Sequence, residues 1–412
     1  RSNYAVYTQG IDKAVKVNDT TVDLIMKGPN PVLLNQLTEL RIMSKAWAEK
    51  NKSVEPKDIR TKDESYAHRN AMGTGPFMVK EWQPDQKLVL VKNPLWWGWA
   101  NAKTNVTEII YTPIKSEATR VAALLSGELD FVLDPSLQDL GRIRSGANLK
   151  VIDGVENRTI FFGMDQHRDE LPGSNIKGKN PLKDQRVRMA LYQGIDIASI
   201  NRVTMRGLSQ PTGALVAPQV TGWTKGVDKR FAYDPEAAKK LLADAGYPQG
   251  FEVDFACPNN RYINDEELCI ALAGMWAQIG ISVKVNAMPR VLYFPKLERF
   301  ETSLYLYGWG GAITDADSIL TPVWRNLGEK GIGSNNYGRW RNDKFDALVA
   351  QQAVEPDPKK REPLVRAALQ EFRESLHVIP LHRQVIPWAA RKGLVAAHRP
   401  DNWLEVAWAS VK

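Results

Sequence analysis

The sequence predicts an α/β protein with two or more lobes, and three observations carry that expectation. Strand-like and helix-like patterns alternate along the whole chain, which favours layered α/β packing over separate all-α or all-β domains. The 412 residues exceed what a single hydrophobic core usually serves. The composition, 43% hydrophobic and 25% charged, is that of an ordinary globular protein.

The elements follow in order. KLVLVKN (87–93) is a β-branched run after the turn residues Gln83, Pro84 and Asp85. In SEATRVAALLSGELDFV, Ser116 is a helix N-cap and Gly127 ends the helix. Ala118, Val121, Ala122 and Leu125 repeat at i, i+3, i+4 and i+7 to make its apolar face. DPEAAKKLLADAGYP opens with Asp234 as cap and Pro235 at the first helical position, turns Leu241 and Leu242 to a core, and closes at Gly246. A helix over 266–278, with Leu268, Ala271 and Met275 as its core face, ends at Gly280 and feeds the strand ISVKVNAM. A last long helix over 358–376 presents Leu364, Ala368 and Phe372, then runs into HVIPLHRQVIPW, read as strand. No repeat or low-complexity linker interrupts the chain, so its lobes are joined by strand crossings.

Charge and cysteine usage narrow the function. Lys and Arg number 55 against 47 Asp and Glu, a net +8. The two signs are interleaved, as in KNKSVEPKDIRTKDE (50–64), which is a solvated surface and not a nucleic-acid patch. No apolar run of about 18 residues is present to span a membrane. The opening RSNYAVYTQG shows no basic region followed by an apolar one, so no signal peptide is visible. Cys257 and Cys269 are too few for a structural zinc site. They are either a disulfide or two buried thiols, and the local spacing in an oxidising compartment favours the disulfide.

Catalytic constellations fail on inspection. GTGPF (73–77) is a turn and strand entry, since Pro76 removes an amide that a phosphate cradle needs. His377 and His382, five apart on a strand, fall on opposite faces and cannot share a metal. Asp315 and Asp317 lie too close in sequence to flank a scissile bond as paired acids about 5–10 Å apart, and D-A-D lacks the rest of a calcium loop. No enzyme activity, cofactor or metal is expected. What remains is an inventory of 13 Trp, 12 Tyr and 11 Phe, which normally pack in cores; Trp96, Trp97 and Trp276 are read that way. Trp309 at a strand end beside Gly310 and Gly311 is different, because glycine admits a ligand or another backbone. That segment reads as a binding wall.

Several pieces, in order along nearly the whole chain, resemble the family 5 extracellular solute-binding proteins of ABC importers, the peptide and nickel type. They are TVDLIMKGPNP; GTGPFMVKEW with LVLVKNPLWW; ATRVAALLSGELDFV; NPLKDQRVRMALYQGID; YDPEAAKKLLADAGYPQGFEVDF; AGMWAQIGISVKV; and LYLYGWGGAITDADSIL. The resemblance implies a two-lobed clamshell of mixed sheets flanked by helices, with an extra domain. Residues 1–65 would belong to the extra domain, 66–160 with 385–412 to the first lobe and 161–384 to the second, with hinge strands near 159–165 and 379–384. It also implies that the first residue lies inside the extra domain, so a truncated or nicked form, or a separate N-terminal fragment, is expected.

By the same resemblance, Tyr307, Gly308, Trp309, Gly310 and Gly311 would lend backbone to a ligand as an added strand. The family's Asp for a peptide α-ammonium falls at Ala312, so Asp315 or Asp317 would have to replace it. Arg261, in CPNNRYIND, is the candidate for a ligand carboxylate, while Asn259 and Asn260 would instead offer hydrogen bonds to a neutral, hydroxyl-rich ligand. The implied role is capture of an oligopeptide or peptide-like solute for a membrane permease, by a monomer in the periplasm or lipid-anchored outside the membrane. An oligosaccharide, an opine-like conjugate or a metal chelate is the alternative solute. A carbohydrate-active enzyme using Asp315 and Asp317 is the alternative class.

Overall fold

The computed structural model describes residues 5–8, 10–55, 57, 63–311, 313–329 and 331–412. The chain is α/β, and its strands in order are β1 (Ile11–Lys16), β2 (Val22–Met26), β3 (Phe77–Gln83), β4 (Lys87–Lys92), β5 (Glu108–Tyr111), β6 (Phe131–Leu133) and β7 (Leu149–Met164). They continue with β8 (Ser209–Pro211), β9 (Phe251–Pro258), β10 (Ile281–Met288), β11 (Leu304–Trp309), β12 (Val378–Arg391), β13 (Leu394–Val395) and β14 (Ser410–Val411).

Two compact units form. Unit 1 comprises 1–40 and 155–386, and unit 2 comprises 41–154 and 387–412. The chain passes between them at 40/41, outside any strand, and twice more inside the long strands β7 and β12. The two strand crossings fall at 154/155 and 386/387, which leaves the expected hinge segments 159–165 and 379–384 inside unit 1. Residues 41–65, expected with the extra domain, fall in unit 2, while 1–40 fall in unit 1.

The mixed sheet of unit 1 runs β10–β9–β11–β7–β12, with β8 on β12. β9 and β10 are parallel, joined by the helix Asp265–Ala277, while β11 lies antiparallel to β7. Helices cover the sheet for the reasons read in their sequences, with phase corrections. The Asp234 side chain accepts from the Ala237 amide and Pro235 opens the helix Pro235–Asp244. In the helix Asp265–Ala277 the buried face is Leu268, Leu272 and Trp276, with Ala271 and Met275 only partly covered; an i, i+4, i+8 row lets the large indole reach the sheet. In Pro358–Ser375 the buried face is Val365, Ala368, Leu369 and Phe372 in place of Leu364. Trp276 is fully buried against Phe162 and Phe255 and donates its indole N–H to the Leu191 carbonyl at 2.9 Å. His377 and His382 are both fully buried.

Unit 2 contains the antiparallel sheet β3–β4–β5, the pairing of β6 with Trp388–Ala390 of β12, and the β13–β14 hairpin. Its helix Glu117–Ser126 is capped as read, by Ser116 on the Thr119 amide and by Gly127 at φ +86°. It buries Val121, Ala123 and Leu124, while Ala118 and Ala122 are exposed. Trp97, expected in a core, is 82% exposed.

Candidate functional site

The site is built where β11 outruns one of its neighbours. β9 pairs β11 only at Leu304 and Tyr305, whereas β7 pairs it through to Trp309. Past Tyr305, side chains stand where a neighbouring strand would be. The Tyr293 hydroxyl donates to the Leu306 carbonyl. The Gly308 amide donates to the Tyr262 hydroxyl at 2.9 Å, and Arg158 Nη1 donates to the Gly308 carbonyl at 3.2 Å. Gly308 is required by this crowding: a Cβ there would stand 2.7 Å from Ile160 and 2.9 Å from the Tyr262 ring. The chain's own side chains therefore use the room that the glycine provides. Gly310 is the next residue of the same alternation, and Gly311 turns the chain at φ +70°.

The aromatic face divides. Tyr307 belongs to the core, not to a wall. It is 5% exposed, packs edge-on against Phe161 and Tyr337, and donates its hydroxyl to Asn335 Oδ1 at 3.2 Å. Trp309 is half-buried, nearly parallel to the Tyr307 ring, and its indole N–H is held by the Ser318 carbonyl at 3.0 Å. Of the two, only Trp309 leaves part of its surface open.

The two aspartates are structural. Asp315 receives both Nη groups of Arg361 at 2.7 Å, with both side chains buried, and its Oδ1 also accepts the Asp317 amide. Asp317 Oδ1 accepts Thr321 Oγ1 and Gln352 Nε2, each at 2.7 Å, and Gln352 Oε1 in turn accepts from Arg361. Burial, chiefly, holds the Asp317 carboxyl above the usual range. This closed network caps the loop after β11 and leaves neither carboxylate as a ligand-facing group. Residue 312 lies outside the described residues.

Arg261 is placed quite differently. A disulfide joins Cys257, near the end of β9, to Cys269 in the following helix, closing the loop that carries it. Within this loop Asp265 Oδ2 accepts the amides of Arg261 and Tyr262 at 2.8 and 2.9 Å. Asn260 is spent on the Arg290 amide at 2.8 Å, where it caps the next helix. The Arg261 guanidinium lies over the Tyr262 ring, 4.9 Å from its centre, and makes no hydrogen bond or ion pair among the described residues. Burial and, second, the nearby charge of Arg158 push its pKa down.

Arg158 itself is held by buried Glu156 at 3.1 Å, and Glu156 also accepts from Gln384 Nε2 at 3.1 Å. Two guanidiniums thus stand beside one carboxylate at the open end of β11, a local surplus of positive charge that suits an oxyanion. Arg158 was missed in the sequence. Its only signal is ENR at 156–158, a charged pair at i and i+2 on one face of a strand that then turns wholly apolar. Among the described residues no cluster of His, Cys, Asp and Glu fits a metal, and no helix is long and apolar enough to cross a membrane.

Residues 1–331 match the description "bacterial extracellular solute-binding proteins, family 5". The chain belongs to this family. It is similar to the heme-binding protein A of Haemophilus influenzae, 26% identical over 361 residues, covering 86% of this chain and 61% of that protein. It is similar to the dipeptide-binding protein of Escherichia coli, 25% identical over 373 residues, covering 87% and 63%. The chain therefore spans somewhat less than two thirds of the length of these family 5 relatives. Among solved structures it shares the fold of the periplasmic binding protein DppA of Helicobacter pylori in complex with the peptide STSA, with a TM-score of 0.81, 22% identity, and coverage of 99% and 75%.

Proposed function

We propose that this chain captures a carboxylate-bearing, peptide-like solute outside the cell membrane and delivers it to an ABC permease, without chemical turnover. Membership of family 5 supports the importer role, and the relatives' names supply the class of solute. The observation that carries the reading is Arg261, a half-buried guanidinium without an anion, beside an Arg158 that already shares Glu156. A ligand carboxylate placed between them would complete the charge balance. Trp309 would supply an apolar wall, and Gly310, just past the end of β11, the next backbone position in the row of Leu306 and Gly308. A neutral oligosaccharide fits less well, because Asp315, Asp317 and Asn260 are all committed within the fold.

The test is calorimetric titration with dipeptides and with the same dipeptides as C-terminal amides, preceded by mass spectrometry of whatever the purified protein releases on denaturation. A charge-assisted contact is worth about 1.5–3 kcal/mol, so the amide should bind roughly 10- to 100-fold more weakly. Arg261→Gln should erase the difference between acid and amide. Equal binding of acid and amide by the unaltered chain would rule the carboxylate reading out.

A further inference from the structure

The opposite end of β7 carries a second charged concavity. Asp165, just past β7, is six residues from Thr159, the partner of Trp309, or about 20 Å at the rise of a strand. Here a cavity of about 310 Å³ is lined chiefly by Gln166, Lys183, Arg188, Arg339, Trp340 and Arg341. Its size falls in the range of small-molecule sites.

The wall is strongly cationic. Arg188, on the helix Gln185–Gln193, is 7% exposed and is held by the carbonyls of Leu182, Lys183 and Ser375, each at 2.9 Å, with no carboxylate bound to it. Asp184, whose charge reaches Arg188, is held by Arg186. Burial pushes the Arg188 pKa down to about 10, so it stays charged at neutral pH. Arg339 and Arg168 share Asp165 Oδ2, each at 2.7 Å, and Lys183 takes Asp169 at 2.7 Å. Arg341 is exposed and has no ion pair among the described residues. Five cations in and around this wall thus meet two carboxylates.

A further feature marks the wall. Arg188 Nε and Arg339 Nε are both buried without an acceptor, although buried N–H donors in folded proteins nearly always have one.

We propose that this cavity is a second binding site of the chain and that it takes a phosphoryl group. A phosphate carries a charge of about −1.5 to −2 with three acceptor oxygens, which matches a surplus of guanidinium donors better than a single carboxylate does. The room beyond one phosphoryl group favours a phosphate monoester with a small organic body. The proposal is independent of the carboxylate site at the other end of β7.

Titration calorimetry on the intact chain tests it with three probes: inorganic phosphate, glycerol 3-phosphate, and vesicles containing phosphatidic acid. The variants are Arg341→Gln, which removes an exposed side chain without ion pairs, and Arg158→Gln at the distant site. Saturable one-site binding of a phosphate probe is expected, weakened about tenfold or more by Arg341→Gln and unchanged by Arg158→Gln. Binding of a soluble probe assigns a free solute. Binding of vesicles alone, with the same loss in Arg341→Gln, assigns the phosphoryl group to a lipid. The proposal is overturned by no saturable binding of any probe up to about 10 mM, by insensitivity to Arg341→Gln, or by equal loss in Arg158→Gln.

Discussion

Unit 1 and unit 2 draw on the same kinds of residue and close them off to different degrees. In unit 1, Trp276, Trp324, Tyr293, Phe161, Phe162 and Phe255 are fully buried, and rings pack on rings around β7, β9 and β11. In unit 2, Trp388 is buried, but Leu95, Trp97, Trp403 and Ile110 are 90%, 82%, 62% and 60% exposed among the described residues. Apolar composition alone therefore does not locate a core; what matters is whether another layer faces the apolar surface. The candidate site belongs to unit 1, where Tyr262 is buried and Arg158 is held by Glu156.

Substitutions can break or sharpen this comparison. The largest effects should fall in unit 1. Trp276→Ala leaves a cavity and an unsatisfied Leu191 carbonyl, and should cost about 3–5 kcal/mol in chemical denaturation. A loss below about 1 kcal/mol would mean that the core around it is not tightly packed. Asp315→Ala strands the buried Arg361 charge and should cost a comparable amount, about 3–5 kcal/mol. If Asp315 instead faced a ligand, the variant would lose affinity and keep its stability.

An intermediate effect concerns Asp265, whose pKa burial raises to about 6, against the lowering pull of the backbone amides it accepts. A raised folded pKa means that the native state holds the proton more tightly than the unfolded chain. The contribution is therefore fully present below the unfolded value near 4 and is lost as pH rises through about 6. It amounts to about 2–3 kcal/mol at most. From pH 4 to 7 the urea midpoint of the wild type should fall relative to that of Asp265→Asn, which cannot ionise; parallel curves would refute the shift. The smallest effect should be Trp97→Ala in unit 2, within about 0.5 kcal/mol, because little is lost when an exposed ring is removed. A cost above about 2 kcal/mol would show that this surface is covered in solution.

The same contrast explains what was legible in the sequence. Caps were legible because they are local: Ser116, Asp234, Pro235 and Gly127 act within one helical turn. Helix phases slipped by a residue or two, as at Ala122 against Leu124, because periodicity marks a stripe but not its centre. The α/β class could be read from pattern and resemblance. The roles of Asp315 and Asp317 could not, since Arg361 arrives from 46 residues away. Arg158 was invisible for the same reason. What it contacts depends on which strand lies beside it, and β11 reaches it from 150 residues down the chain. Gly308, expected to lend its backbone to a ligand, is instead bonded by the protein's own Tyr262 and Arg158.

The capped edge of β11 has a consequence for solubility. A strand lacking a neighbour is a template on which any extended chain can zip, another copy of the same protein included. Here Tyr293 occupies the Leu306 carbonyl, and Tyr262 and Arg158 occupy the amide and carbonyl of Gly308. The length of bare strand then becomes too short to seed stacking between molecules, even when the protein is crowded. The same three side chains thus guard this edge against self-association.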